Sequence, residues 1–199
     1  VALALVGATY ANGYVKNKVM EFVGPGVASL SADCRNGIDC MTTETTCWSS
    51  IWQTDGVTEE YLAGHGRADA YKELKPADVA YYDGCIELDL SKIECMIALP
   101  MHPSYAYPIR ELKANAKDLL HEIETRANEQ LSGKVKMDLV SKVRADGSIY
   151  VDQGIVAGCS GGTYENLCAV ADILRGKSCG NGEFKFSACL LYTSDAADD

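Results

Sequence analysis

Residues 153–167, QGIVAGCSGGTYENL, lead from an apolar run through one cysteine into a glycine-rich turn. Ile155, Val156 and Ala157 read as the end of a buried strand, and Gly158, Gly161 and Gly162 bracket a tight turn. Thr163 stands where an N-cap belongs. Leu167, Val170, Ala171 and Leu174 then fall on one helical face, and Gly176 closes the helix as a C′ glycine. Strand, turn and helix in that order are the signature of an α/β unit, with Cys159 just beyond the carboxyl end of the strand. A helix N-terminus at that point would favour a thiolate, which serves as a nucleophile or as a metal ligand.

The remaining sequence repeats the alternation. Residues 2–16 read as a helix and KVMEFVG (18–24) as a strand ending at the turn Gly24-Pro25-Gly26. VASLSADCRNGIDCMTTET (27–45) reads as mostly helical, and Cys85–Leu90 alternates as a strand does. PMHPSYAYP (100–108) holds three of the five prolines and reads as a domain boundary or linker. Residues 109–130 form a charged amphipathic helix with Leu112, Leu119, Leu120 and Ile123 as its stripe. The last residues, ACLLYTSDAADD, have no period and end in acids, so 188–199 read as a non-native or disordered tail. No internal repeat is visible.

Composition narrows the classes. With 199 residues, 47% of them hydrophobic, the chain can build real cores. A formal charge of −10 with scattered lysines argues against a nucleic-acid surface. No run of eighteen apolar residues occurs, so no membrane span is expected, and the apolar start lacks the basic n-region of a signal peptide. Nine cysteines, an odd number set mostly among apolar neighbours, argue against a disulfide framework, and seven or eight of them read as reduced and buried thiols of a cytoplasmic protein. No C-x-x-C occurs, which removes a self-contained zinc site.

Three stretches together resemble the aconitase superfamily of iron–sulfur hydro-lyases. VMEFVGPGVASLSADCRNGIDCMTTETTCWSSIW (19–52) is similar to the family's second-domain segment, where a Gly-Pro-Gly turn precedes a helix with an active-site glutamate. YYDGCIELDLSKIECMIALPMHPSYAYPI (81–109) is similar to the crossing that ends that domain, and GIVAGCSGGTYENL (154–167) to the family's first cluster-cysteine signature. The wording lies nearer the aconitase-like hydratases than the isopropylmalate dehydratases. The resemblance implies three-layer α/β/α domains, with 1–100 ending one domain and 101–187 beginning the next.

It also implies roles. Cys159 would be one of three thiolate ligands of a [4Fe–4S] cluster, and Glu44, twenty residues after Gly24, the active-site glutamate. Cys40 falls where many members have an asparagine near the cluster, and Ser160 and Gly161 replace the usual threonine and asparagine. The implied reaction is reversible dehydration of a hydroxy di- or tricarboxylic acid, such as citrate to isocitrate through cis-aconitate. The remaining cluster cysteines, the catalytic His and Asp residues and the substrate-gripping arginines would belong to further domains of the same protein. Alone, this chain would be inactive.

Residue by residue, other readings stay open. Glu44 within TTETT also reads as a surface or N-cap carboxylate. His102 reads as a hydrogen-bonded linker histidine, because no carboxylate pairing is visible in the sequence; His65 reads as a loop residue and His121 as a helix-face one. Trp48 and Trp52, four apart, read as core neighbours on a helix. Rival functions are an isopropylmalate dehydratase-like enzyme, a Cys159 nucleophile enzyme, which requires a nearby histidine, and a non-catalytic regulatory or RNA-binding member of the fold; the acidic charge lends RNA binding no support.

Overall fold

The computed structural model describes residues 1–180 and 182–191. Two parallel strand pairs and one hairpin, with their helices, make a mixed α/β chain. The first pair joins β1 (Val19–Phe22) to β2 (Ser49–Trp52), in register from Val19 opposite Ser49 to Phe22 opposite Trp52. Parallel strands need a long crossover, and α2 (Ala32–Thr42) provides it. Ser31 caps α2 by accepting from the Cys34 N–H at 3.1 Å. Ile38 faces inward with Val27, and α1 (Ala2–Thr9) contributes Leu5 and Val6 to the same side of the molecule. Phe22 stacks on Trp52 with ring centroids 4.2 Å apart, and Trp52 Nε1 donates to Asp39 of α2 at 3.1 Å. The stacking joins the two strands, and the hydrogen bond fastens the helix to them.

Arg35 anchors the far side of α2. Only 5% exposed, it donates to both oxygens of Asp55 at 2.8 and 2.7 Å and to the carbonyls of Leu30 and Val27. Asp55 in turn caps α3 (Gly56–Gly64) by accepting from the Val57 and Thr58 N–H groups. A buried guanidinium needs this full set of acceptors to offset its lost hydration.

A second core gathers around the hairpin of β3 (Met96–Ala98) and β4 (Ala106–Pro108), followed by α4 (Ile109–Ala114) and α5 (Ala116–Gln130). Leu99, Leu112, Leu120 and Ile123 form its centre, flanked by Tyr105, Tyr107 and Val143. The second parallel pair is β5 (Gln153–Val156) with β6 (Lys185–Ala188), connected through α6 (Gly158–Gly161) and α7 (Tyr164–Leu174).

Several sequence expectations are overturned. Cys85–Leu90 is not a strand: the alternation is there, but a strand needs a partner, and the Cys85 backbone bonds the Tyr14 hydroxyl instead, at 3.2 and 3.3 Å. Trp48 and Trp52 are not helix neighbours, because SSIW pairs with VMEF as a strand, leaving Trp48 exposed. The first helix stops at Thr9, ahead of turns that include Gly13 at φ +63°. The helix over 109–130 breaks at Asn115, whose φ of −128° is not helical. Residues 100–108, the Pro-rich segment, are the turn and return strand of the hairpin, closed by the Leu99 N–H donating to the Tyr105 carbonyl at 2.8 Å. None of the nine cysteines is buried: six are exposed and three half-buried, because their apolar neighbours lie in irregular chain, as around Cys85, or on the outer side of α7, as for Cys168. Ala188 closes β6 and the Leu191 N–H donates to the Gly162 carbonyl at 2.8 Å; the rest of the tail, 192–199, lies outside the described residues.

Candidate active site at the cysteine turn

β5 delivers the chain to Ala157 in extended conformation, and Gly158 then turns it at φ +79°, a value that side-chain-bearing residues rarely adopt. Cys159 follows on the one-turn helix α6, exposed. The helix reading of the sequence is met with a difference. α7 does begin after Thr163, but α6 intervenes, so Cys159 lies a full turn ahead of the longer helix. A four-residue helix has little dipole to offer a thiolate. Gly162 is tightly enclosed: a Cβ there would come within 2.8 Å of the Cys189 carbonyl oxygen and 2.9 Å of that of Gly158.

α2 docks against this turn. Ser160 Oγ donates to the Gly37 carbonyl at 3.1 Å, and a Cβ on Gly37 would stand 3.3 Å from the Ser160 carbonyl oxygen. The Glu165 N–H donates to Asp33 at 3.0 Å, the Ser31 hydroxyl donates to the Glu165 carboxylate, and Asn166 holds the Ser160 carbonyl at 3.0 Å. This docking sets Cys40 beside Cys159, its thiol donating to the Cys159 carbonyl across 3.6 Å. Burial pushes the Cys40 thiol up, and the neighbouring Cys159 thiol adds to the shift by charge and hydrogen bonding.

Beyond Cys40, α2 tightens into a 3₁₀ turn over Thr43–Thr45 that carries Glu44. The fully buried Thr45 hydroxyl donates to the Thr42 carbonyl at 2.6 Å, pinning the turn. The half-exposed Glu44 carboxylate lies 3.8 Å from His102 Nε2, in the hairpin turn. That pairing was not visible in the sequence. The ring contacts of the other histidines lie elsewhere: His65 Nδ1 meets the Tyr61 carbonyl, and His121 lies 3.8 Å from Glu124 on α5. A cysteine nucleophile would require one of the three within reach of Cys159, and their contacts offer it no support.

Iron–sulfur clusters are held by thiolates. An exposed Cys159 with Cys40 behind it has the donor chemistry for one corner of such a group, and the buried Thr163 hydroxyl, four residues on, has no hydrogen-bond partner in the structure. Among the described residues no group of three or more His, Cys, Asp or Glu side chains could hold a metal ion, so the fit is to part of a ligand set. No helix among the described residues is long and apolar enough to cross a membrane.

The 2,3-dimethylmalate dehydratase large subunit of Eubacterium barkeri is 30% identical over 158 residues, covering 79% of this chain and 30% of that protein. The 3-isopropylmalate dehydratase large subunit of Caldicellulosiruptor bescii is 28% identical over 175 residues, 88% of this chain and 32% of the relative. That of Pyrococcus furiosus, large subunit 1, is 29% identical over 160 residues, 80% of this chain and 30% of its own length. The chain therefore spans about a third of the length of the curated relatives it matches. Residues 1–192 match the Aconitase family (aconitate hydratase) as a whole, and the chain belongs to that family.

Proposed function

We propose that this chain is the portion of a hydro-lyase that supplies one cluster thiolate, Cys159, and one active-site carboxylate, Glu44, for dehydration of a hydroxy di- or tricarboxylic acid. The observation that supports this reading is the docking of α2 on the cysteine turn, which brings Cys40 against Cys159 one turn before Glu44. In the proposed enzyme a [4Fe–4S] cluster bound by Cys159 and two further thiolates would act as a Lewis acid toward the departing hydroxyl. Glu44 would hold or move the proton that accompanies that departure, either directly or through a partner side chain. Ser160 and Asn166 brace the turn, keeping the Cys159 thiol in place.

The relatives' names favour a substituted malate over citrate. The small-molecule substrate in this reading is a 2- or 3-hydroxy diacid with a branched apolar substituent, and citrate–isocitrate interconversion is the second choice. Because those relatives are large subunits, the proposed partners are a small subunit and further domains of the same protein, which would complete the substrate grip.

The test uses full-length protein purified without oxygen. Wild type is expected to be brown, and Cys159→Ser to lose that absorption; an unchanged spectrum refutes the ligand assignment. Glu44→Gln is expected to keep the colour and lose about a hundredfold or more in kcat, the usual worth of a proton-transfer group. A fully active E44Q removes Glu44 from the site.

A further inference from the structure

We infer that His102 is a positioning residue for Glu44, its ring locked as the Nε2–H tautomer so that one N–H is aimed at the carboxylate. This rests on the reading of Glu44 as an active-site group.

Two elements, the hairpin turn and the end of α1, hold the ring. The Ser104 backbone N–H donates to Nδ1 at 3.1 Å, and a backbone amide is never an acceptor through its nitrogen, so Nδ1 carries no proton in this arrangement. The Ser104 hydroxyl lies 3.0 Å from the same nitrogen and can donate to it as well. The ring proton is thereby left on Nε2, the atom that faces Glu44. Tyr10, at the end of α1, stacks on the imidazole with centroids 3.8 Å apart and planes 26° from parallel, which fixes the ring plane. α1 packs on the hairpin at Gly7, where a Cβ would stand at ordinary contact distance, 3.6 Å, from Ala106 Cβ.

The 3.8 Å between Nε2 and Oε2 is longer than a hydrogen bond, and free enzymes commonly hold catalytic pairs loosely until substrate closes the site. Glu44 retains freedom to close it, because its side chain is 43% exposed while that of His102 is 24% exposed. The rigid partner is therefore the histidine. It would orient the carboxylate without touching substrate itself.

The experiment has two arms on full-length protein. In the first, nitrogen-15 spectra of the imidazole rings are recorded without cluster, the His102 signal being identified by its disappearance in His102→Gln. The expected result is an Nε2–H tautomer whose signal moves in E44Q; an Nδ1–H tautomer, or a signal indifferent to E44Q, overturns the proposal. In the second arm, His102→Ala is expected to lower kcat about tenfold, the worth of one hydrogen bond to a charged group, with KM and cluster absorption unchanged. His102→Gln, which can place an amide N–H near Nε2, is expected to restore most of that loss. An H102A variant with wild-type kcat overturns the positioning role. If wild type itself dehydrates no hydroxy diacid, the functional reading fails while the ring spectra still decide the pair.

Discussion

Cys40 and Cys159 share a neighbourhood but not a chemistry. Cys159 is exposed on its turn, whereas Cys40 is half-buried and its thiol is held protonated by burial and by Cys159 itself. Alkylation follows the thiolate, so in metal-free protein at mildly alkaline pH iodoacetamide is expected to label Cys159 before Cys40, as read by peptide mass spectrometry. Earlier labelling of Cys40 would show that the α2 contact opens in solution. At this scale the sequence was informative where chemistry is local. The glycines around Cys159 announce their turn, and Thr163 its helix start. His102 is hydrogen-bonded within its turn, as read, but its contacts with Tyr10 and Glu44 were not legible because those residues come from distant elements that only folding brings together.

Among the elements, α2 is the one on which the site depends. Its hold on α3 runs through Arg35 and Asp55, and breaking a buried pair leaves an uncompensated charge. Asp55→Ala is expected to destabilise the fold by about 3 kcal/mol, measured by denaturant or thermal unfolding. The Arg35 guanidinium, bonded to Asp55, holds that carboxyl below the usual carboxylate range against the opposing effect of burial. A lowered folded-state value contributes stability that is present above the unfolded pKa of about 4 and is lost as pH falls through the folded one. Melting temperature is therefore expected to drop more steeply with acid in wild type than in Asp55→Asn; parallel curves would contradict the pairing. The longer helices α2, α5 and α7 were legible because their caps and periodicity are written over ten or more residues, whereas the shorter α3 went unread. Strands of three or four residues carry too few alternations, so β2, β3, β4 and β6 went unread and Cys85–Leu90 was misread.

Across the whole molecule, burial is concentrated. Ile123 is fully buried in the hairpin core, a cluster that gathers residues from β4 through the segment after α5. Ile123→Ala is expected to cost about 2–5 kcal/mol, by lost transfer energy and the cavity left behind. Circular dichroism melts would read it, and a shift under 1 kcal/mol would mean that the core collapses onto the gap. By contrast α7 has no buried residue, and its stripe of Leu167, Val170 and Leu174 is only half covered. The alternation of strands and helices gave the α/β class, and the order of three motifs gave the family. Burial of the cysteines was not legible, since an apolar neighbour in sequence says nothing about what packs over it in space.

α2 meets α1, α3, β2, α6 and α7, so it behaves as a single axle with bearings along its length. Cys40 and the Glu44 turn ride at one end of that axle, while the Arg35 clamp grips nearer the other. The spacing between thiol and carboxylate is thus set by helical pitch, and loosening any bearing would swing both together as one lever arm rather than pull them apart.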